Sequence, residues 1–380
     1  MAKGCYVGVS SKARKVKKIY VGVAGTARKV KKAYVGVGGV ARLWWSGGTL
    51  SYYGTATALS VARLDLAAST ADNSEAVFGG GRTNNNYNSQ SNVVNGYNAS
   101  LSMTTASSGL QTARYQLAAA KSGSYIIFAG GRTGASAVTG RAEAYNASLT
   151  RTALTALGTN RGKLSGATTG NYAIFAGGDN GGSSGYGAAQ NKIDAYSGTT
   201  KQSLSSTLGT ARFYICGATT GNYALFAGGA TAYSSYQLTP STAIDAFNGL
   251  TKVSTSVTLS AARVGMAGTS LGSYAVFAGG AGDAVYVFNG LTKVSTSATL
   301  SNARNYLAAT TIGDFAVFAG GSSSNTVDVF DTSITRQTLS LTLNTARSSL
   351  SAATVGNNAI FAGGYTGSAA SNVADVFQVV

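Results

Sequence analysis

The sequence contains no histidine, one proline and two cysteines, and only 11% of its 380 residues are charged. Without histidine the chain lacks the commonest metal ligand and the commonest general base, so we expect neither a metal nor a cofactor. Cys5 and Cys216 are far apart, which favours two separate thiols over a disulfide framework. No apolar run reaches about 18 residues and no apolar segment follows the basic N-terminus, so the sequence predicts neither membrane insertion nor a secretory signal.

The residues that are present indicate a packed protein with an unevenly charged chain. Hydrophobic residues make up 44% of the sequence, and 51 glycines and 21 tyrosines accompany them. The net charge is +17, and 11 of the 29 basic residues lie in the first 42 positions, where there is no acid. The basic character therefore belongs mainly to the N-terminal segment.

A short phrase ending in Gly-Gly occurs seven times after residue 50. The copies are AVFGGG (76–81), IIFAGG (126–131), AIFAGG (173–178), ALFAGG (224–229), AVFAGG (275–280), AVFAGG (316–321) and AIFAGG (359–364). An arginine precedes the phenylalanine of each copy by 15 residues in the first repeat and by 14 in the others. These blade arginines are Arg63, Arg114, Arg161, Arg212, Arg263, Arg304 and Arg347.

Each repeat also has a later aromatic residue that follows an acid by two positions. The acids are Glu143, Asp194, Asp245, Asp328 and Asp375, while Asn95 and Tyr286 take this place in two weaker copies. Because the acids are as periodic as the arginines, we interpret both as structural and expect them to pair with each other or with backbone donors.

Each unit of 41–51 residues reads as four short β-strands separated by turns, which is typical of a propeller blade. The last repeat ends after its third segment, and residues 50–63 resemble the fourth segments of the other repeats. We therefore predict an all-β fold, a seven-bladed β-propeller over residues 50–380, in which the N-terminal strand completes the last blade and closes the ring.

These features resemble the kelch family, over about residues 50–380. The hydrophobic-Gly-Gly phrase, the later aromatic and the blade arginine all match. The fourth strand departs from the family pattern, because it is rich in Thr, Ser and Leu and both tryptophans, Trp44 and Trp45, lie outside the blades. The resemblance implies the architecture and does not identify a partner.

The sequence favours a binding protein over an enzyme. A copper site like that of the kelch-type galactose oxidases would need histidine, and no sialidase-type Asp box is present. Paired carboxylates could still support a propeller glycosidase, for which Glu75 and Asp179 are the candidates. We regard this as the least favoured of three hypotheses.

The loops between the second and third segments vary most in length, and the long ones are rich in Tyr, Asn, Ser and Gly. This mixture suits polar recognition of a host-surface glycan or protein, because tyrosine gives rigid contact area and small polar residues adapt. An equally acceptable interpretation is that they are tolerated surface loops. The candidate contact residues are Tyr87, Tyr97, Tyr186, Tyr233 and Tyr236.

The first 45 residues form a second repeat, of 14 residues: YVGVSSKARKVKKI (6–19), YVGVAGTARKVKKA (20–33) and YVGVGGVARLWW (34–45). The segments YVGV and ARKVKK read as short strands joined by a turn. Short hairpins cannot bury a core alone, so this segment needs a partner, and a homotrimer is one solution. A nucleic-acid arm is the main competitor, but phosphate binding requires no such regular spacing.

Residues 1–45 also resemble the basic modules at the starts of tail and other virion proteins of phages that infect Firmicutes. The resemblance implies that residues 1–49 are an anchor that contacts other virion proteins, and that the protein is located in the virion. The anchor candidates are Tyr6, Arg14, Lys15, Tyr20, Arg28, Lys29, Tyr34, Arg42, Trp44 and Trp45.

Strand alternation in a blade predicts where the variable loops lie. The loop between the second and third strands should share a face with the connection to the next blade, and the N-terminal segment should leave from the opposite face. Our first hypothesis is therefore a structural, tail-associated virion protein that binds a host surface. The alternative is a capsid or tail decoration protein with a stabilising or weakly adhesive role.

Overall fold

The computed structural model describes residues 6–9, 12–15, 19–23, 26–30, 32–37, 40–46, 48–71, 74–182 and 185–380, and before residue 48 it describes the backbone alone. The chain divides into two compact units, Met1–Ser51 with Gln378–Val380 and Tyr52–Phe377. No helix in the described ranges is long and apolar enough to cross a membrane.

The 14-residue repeats form three antiparallel hairpins, as the pattern predicts. Their strands are β1 (Tyr6–Val9), β2 (Lys12–Lys15), β3 (Ile19–Val23), β4 (Thr26–Val30), β5 (Lys32–Val37) and β6 (Val40–Ser46). Each strand that contains YVGV pairs with the basic strand that follows it, β1 with β2, β3 with β4 and β5 with β6.

The larger unit is a seven-bladed β-propeller, which confirms the predicted fold. After β7 (Leu50–Thr55), blade 1 consists of β8 (Ala67–Ala71), β9 (Glu75–Gly79), β10 (Val94–Asn98) and β11 (Met103–Thr105). Blade 2 consists of β12 (Ala118–Ser122), β13 (Tyr125–Ala129), β14 (Ala142–Tyr145) and β15 (Arg151–Leu154). Blade 3 consists of β16 (Ser165–Thr169), β17 (Tyr172–Ala176), β18 (Ile193–Ser197) and β19 (Thr200–Gln202).

Blade 4 carries an additional hairpin. Its strands are β20 (Cys216–Thr220), β21 (Tyr223–Ala227), β22 (Ala230–Ser234), β23 (Gln237–Pro240), β24 (Ile244–Asn248) and β25 (Thr251–Val253). The order β20-β21-β24-β25 makes the blade, and β22 and β23 pair with each other in a separate two-stranded sheet. This hairpin is the loop between the second and third strands of the blade.

Blades 5 to 7 complete the ring. Blade 5 consists of β26 (Met266–Leu271), β27 (Tyr274–Gly279), β28 (Gly282–Asn289) and β29 (Thr292–Val294), and β30 (Thr299–Arg304) also pairs with β28. Blade 6 consists of β31 (Ala308–Ile312), β32 (Phe315–Ala319), β33 (Ser324–Asp331) and β34 (Thr342–Arg347). Blade 7 begins with β35 (Ser351–Val355), β36 (Asn358–Ala362) and β37 (Ala374–Val379). The last sheet has the order β35-β36-β37-β7, so the strand that precedes blade 1 completes blade 7 as predicted. β7 thereby gives blade 7 the four strands of a complete blade.

The second strand of each blade is buried because it is covered on both sides by the adjacent blades. Its phenylalanine packs edge-on against the later aromatic of the third strand, with ring centroids 5.7–6.0 Å apart in all seven blades. Such edge-to-face pairs stabilise a core beyond the area that they bury. The sequence repeat is therefore a repeat of core contacts.

The blade arginines are structural, as predicted. Five of them form buried ion pairs with the periodic acids: Arg114–Glu143, Arg161–Asp194, Arg212–Asp245, Arg304–Asp328 and Arg347–Asp375. Each of these arginines also donates from Nη2 to the carbonyl oxygen of the motif phenylalanine 14 residues later. Arg304 donates in addition from Nε to the Gly320 carbonyl. One side chain thus joins the start of a blade to its second and third strands.

The two weaker copies use neutral partners. Arg63 donates to the Oδ1 atom of Asn95 at 2.5 Å and to the carbonyls of Gly80 and Val93. Arg263 donates from Nε to the hydroxyl of Tyr286 at 3.1 Å. The arginine contact is therefore present in all seven blades, although its chemistry changes in two.

The innermost strands are joined by hydroxyl groups that face the central channel. Each hydroxyl donates to the carbonyl oxygen of the equivalent residue in the preceding blade, as in Thr219 to Thr168 at 2.6 Å and Ser270 to Thr219 at 2.8 Å. The other donors at this level are Thr70, Thr168, Thr311 and Thr354. In blade 2 the equivalent residue is Lys121, whose carbonyl oxygen accepts from Thr168. These bonds connect blades whose innermost strands do not share a sheet.

Replacing Asp328 with alanine tests the blade ion pair. Arg304 would remain buried without its carboxylate, and breaking a buried pair in this way costs about 3–5 kcal/mol. Asp283→Ala is the matched control, because Asp283 is exposed, and exposed substitutions change stability by about 0.5 kcal/mol or less. Urea denaturation of both variants measures the difference, and equal losses would contradict a structural role for the pair.

Candidate functional site

Seven equivalent residues surround the mouth of the central channel. They lie two positions after each blade arginine, and we call them the ring residues: Asp65, Gln116, Lys163, Tyr214, Gly265, Tyr306 and Ser349. All have left-handed backbone conformations, with φ between 49° and 74°. Such angles are uncommon outside glycine and require support from the surrounding structure.

The support is a circle of backbone hydrogen bonds. The N–H groups of six ring residues donate to the carbonyl oxygen of the ring residue in the preceding blade at 2.9–3.0 Å, for example Gln116 to Asp65 and Lys163 to Gln116. The backbone of the ring therefore binds the blades together, while its side chains remain free to differ.

A second set of equivalent residues lies directly after each Gly-Gly pair. Its members are Arg82, Arg132, Asp179, Ala230, Ala281, Ser322 and Tyr365. They are charged in blades 1 to 3 and uncharged in blades 4 to 7. The charged ring residues, Asp65 and Lys163, belong to the same three blades. One side of the mouth therefore carries five charged side chains, which we call the mouth cluster: Asp65, Arg82, Arg132, Lys163 and Asp179.

The mouth cluster is a network of buried ion pairs. Arg82 Nε lies 2.8 Å from an Asp65 carboxylate oxygen. Asp179 accepts from both Arg132 Nη1 and Lys163 Nζ, each at 2.8 Å, and bridges blades 2 and 3. Three cations face two carboxylates, so the cluster has a net charge of +1. Buried ion pairs contribute little net stability, and blades 4 to 7 close without charged residues at these two mouth positions, which makes the cluster a candidate functional site.

Tyrosine rings from the variable loops cover these cations. Lys163 Nζ lies 3.5 Å from the centroid of the Tyr186 ring, and this ring stacks on Tyr233 with the centroids 3.9 Å apart and 15° between the planes. The Arg82 guanidinium lies 5.3 Å from the centroids of Tyr87 and Tyr115. Cation–π contacts of this kind hold the loops over the mouth.

Two small cavities are separated by the ring residues. The outer one, of about 200 Å³, is lined by Tyr87, Tyr186 and Tyr214 and by four members of the mouth cluster, Asp65, Arg82, Arg132 and Lys163. The inner one, of about 190 Å³, is lined by the ring residues and by apolar side chains such as Leu66, Leu117 and Ile215. The Oε1 atom of Gln116, which borders both cavities, is buried without a hydrogen-bond partner in the described structure. A ligand donor could satisfy it.

A larger cleft of about 810 Å³ lies elsewhere, beside Thr155, Lys192 and Lys201. Its acid, Asp194, is already paired with Arg161 and Lys201 as part of blade 3. Size alone would favour this cleft. We favour the mouth because its charged residues depart from the repeat, whereas those of the cleft follow it.

Burial changes the ionisation of the mouth cluster. Loss of hydration lowers the pKa of Lys163 from 10.5 to about 8, although the ion pair with Asp179 opposes the shift. Burial also raises the pKa of the Tyr214 hydroxyl well above its ordinary value. Tyr214 therefore stays neutral and can donate a hydrogen bond across the physiological pH range.

Four of the five predicted contact tyrosines lie on the face that carries the variable loops, which we call the loop face. Tyr87, Tyr186 and Tyr233 meet at the mouth, and Tyr236 lies at the tip of the β22–β23 hairpin with 93% of its surface exposed. The prediction for Tyr97 requires correction. Its ring is fully buried against Phe78 and its hydroxyl donates to the Thr57 carbonyl, because it occupies the aromatic core position of the third strand.

The anchor candidates lie in or beside the N-terminal hairpins. Their side chains are outside the described residues, so the roles predicted for them remain predictions. These residues are Tyr6, Arg14, Lys15, Tyr20, Arg28, Lys29, Tyr34, Arg42, Trp44 and Trp45.

The two carboxylates considered for a glycosidase are not placed as a pair. Glu75 begins the second strand of its blade, and burial raises its pKa to about 7. Asp179 follows the second strand of another blade, in the position of Arg82. Within a blade, the start of the second strand, where Glu75 lies, is separated from the residue after Gly-Gly, the position of Asp179, by roughly 20 Å at about 3.3 Å per residue. The two carboxyl groups of a glycosidase lie within about 10 Å of each other.

Sequence reasoning missed the mouth cluster. Its members are separated by up to 114 positions in the chain, and each looks ordinary in its own segment. The detectable signal is the departure of blades 1 to 3 at two fixed positions of the repeat, the second residue after the blade arginine and the first after Gly-Gly. Comparing these positions across the seven units would have identified all five residues.

The depressed pKa of Lys163 predicts a pH-dependent contribution to stability. Between about pH 8 and 10 the unfolded chain keeps a proton on this lysine that the folded chain loses, so the contribution of Lys163 to the free energy of unfolding rises with pH. The difference between wild type and Lys163→Met should increase in favour of wild type by about 2 kcal/mol over this range. Tyrosine ionisation is common to both proteins, and a constant difference in urea unfolding would contradict the prediction.

Comparison with known proteins identifies the fold and no family. No family model matches the chain, and no curated protein matches it. Among solved structures the chain is similar to that of YjhT, with a TM-score of 0.52 and 11% sequence identity over 86% of this chain and 99% of the other. At this identity the likeness concerns the fold alone, and it agrees with the seven-bladed propeller described above.

Proposed function

We propose that this protein is a non-enzymatic attachment protein of a bacteriophage virion, associated with the tail, and that the propeller binds a glycan or protein on the host surface. The observation that carries the binding role is the asymmetry of the loop face. The charged side chains at the mouth come from blades 1 to 3 and lie beside the loop tyrosines Tyr87, Tyr186 and Tyr233, whereas blades 4 to 7 have uncharged residues at the equivalent positions. A purely structural ring gives no reason for this difference.

The chemistry of the loop face suits a polar ligand with ring-shaped groups. Tyr87 and Tyr236 expose 45% and 93% of their surfaces, and exposed tyrosine provides both an apolar ring face and a hydroxyl. Gln116 and the Tyr214 hydroxyl add directional hydrogen-bonding groups beside the cavities. Rigid rings above convergent polar groups are typical of binding sites.

The virion role is supported by the N-terminal segment. Its basic 14-residue repeats resemble those of Firmicutes phage virion proteins, and they fold as three separate hairpins. Hairpins of this size need a partner to be stable, which other virion proteins or two further copies of the chain would supply.

A decoration protein that stabilises the particle or adheres weakly is the second candidate. It is favoured by the fact that every member of the mouth cluster already has a partner of opposite charge within the chain. Internal pairing leaves the cluster less charge with which to attract a ligand.

Substituting the exposed loop tyrosines distinguishes these candidates. If the loop face binds the receptor, Tyr87→Ala and Tyr236→Ala in the full chain should weaken binding to host cells and purified surface glycans by about tenfold or more. Tyr53→Ala is the matched control, because Tyr53 is 58% exposed on β7. Unchanged binding by both loop variants would contradict the proposed site. An absence of binding by the unaltered protein would favour decoration.

Deleting residues 1–45 tests the anchor separately. We expect the remaining chain to keep its strand content and cooperative unfolding, because the larger compact unit begins at Tyr52. It should no longer co-purify with phage particles, whereas the full chain should. Particles that retain the shortened protein would contradict an anchoring role for this segment.

A further inference from the structure

Blade 5 departs from the repeat at several positions that lie together. Its acid is replaced by Tyr286, and its ring residue is glycine, Gly265. Four residues before the acid position the other blades have Ser, Thr or Gln, and blade 5 has Gly282. Blades 5 and 6 also have the shortest loops between the second and third strands, with 11 and 12 residues from the motif phenylalanine to the later aromatic.

These departures change the environment of Arg263. It is the one blade arginine in the described propeller that is not buried. Its recorded side-chain hydrogen bond is the one from Nε to the Tyr286 hydroxyl, and no acidic side chain of the described chain forms an ion pair with it. Asp283, the nearest acid in sequence to Gly282, is exposed and is not its partner. The two Nη groups therefore carry a positive charge and donors with no protein acceptor.

The comparison with Arg63 shows that a missing carboxylate alone does not expose an arginine. Arg63 also lacks an acid, yet it is fully buried and donates to Gly80, Val93 and Asn95. In blade 5 the guanidinium instead lies against the backbone of Gly282, where a Cβ atom would overlap it. Because residue 282 is a glycine, the guanidinium of Arg263 has space to lie against its backbone.

Arg263 lines an open cavity of about 240 Å³ on the loop face. The other walls are mainly apolar and come from the β22–β23 hairpin, from blade 5 and from the start of blade 6, including Leu238, Pro240, Val264 and Tyr306. An unpaired guanidinium beside an apolar wall is suited to a planar oxyanion carried on an apolar group.

We propose that this cavity is a second binding site, separate from the mouth cluster, which takes a carboxylate or phosphate group attached to an apolar or ring-shaped body. The oxyanion accepts from the two Nη groups of Arg263, and the body packs against Leu238, Pro240 and Tyr306. Gly282 and Tyr286 act as positioning residues, because they hold the guanidinium at the cavity. This site does not depend on the virion role proposed above.

The site is tested with benzoate and phenyl phosphate as probes, titrated into the full chain by NMR or calorimetry, with benzamide as the uncharged analogue. At least one of the two anions should bind, and the affinity for benzamide should be lower than that for this anion by about tenfold or more. A preference for either anion supports the proposal and identifies the favoured oxyanion. Failure of both anions to bind the unaltered protein would overturn it.

Three variants locate the binding. Arg263→Gln should weaken anion binding by about tenfold or more. Gly282→Ser should do the same by displacing the guanidinium, because residue 282 does not have the positive φ that would disfavour serine. Lys293→Gln is the control, since it removes one exposed charge from the same blade, and it should leave the affinity unchanged. Equal affinities for wild type and Arg263→Gln would overturn the assignment.

Tyr286→Asp gives an independent test that does not remove the arginine. It restores the acid present in five other blades, so Arg263 should pair internally and anion binding should fall by a similar factor. The far-ultraviolet circular dichroism and melting curve check that the blade remains folded. A folded Tyr286→Asp protein that binds the anions as tightly as wild type would contradict the proposed site.

Discussion

The arginine at the start of each blade, which is buried in every blade but the fifth, is the contact on which the propeller depends. Its guanidinium meets the third strand through an acid and the second strand through a carbonyl oxygen, so a single side chain fixes three segments of the chain. A charge in this position is costly unless every donor has a partner. The requirement explains why the arginine recurs in every blade at 14 or 15 residues before the motif phenylalanine, with an acid as its partner in five blades and a neutral partner in the other two.

Because the framework is held by repeated contacts, the positions that face the mouth can vary without opening the ring. The ring residues are joined through backbone atoms, and hydroxyl-to-carbonyl bonds join the blades deeper in the channel. Neither set requires a particular side chain at the mouth. The charged residues of blades 1 to 3 are therefore additions to a structure that is already closed, and recognition is the simplest reason for their concentration on one side.

The sequence predicted the features that repeat and missed those that do not. Seven blades, the strand that closes the ring and the arginine–acid pairs follow from spacings within one unit. Tyr97 was misplaced because it ends a long polar loop in the sequence, although it occupies the aromatic core position of its strand. The mouth cluster was missed because its contacts, such as Arg132 with Asp179 at 47 residues, join different blades. Such pairs become visible only when equivalent positions are compared across the ring.

Blade 5 shows what happens when the central contact is altered. Removing the carboxylate from a buried arginine would leave an uncompensated charge, and there are two ways to avoid this cost. Blade 1 keeps Arg63 buried and surrounds it with neutral acceptors, whereas blade 5 leaves Arg263 partly exposed against Gly282 and gives its Nε a single partner in Tyr286. The second solution requires a glycine, a tyrosine and short loops at the same time. A repeat that merely tolerated a lost acid would need only the solution of blade 1, in which neutral acceptors surround a buried arginine. The combination of changes in blade 5 therefore favours selection for an accessible positive charge.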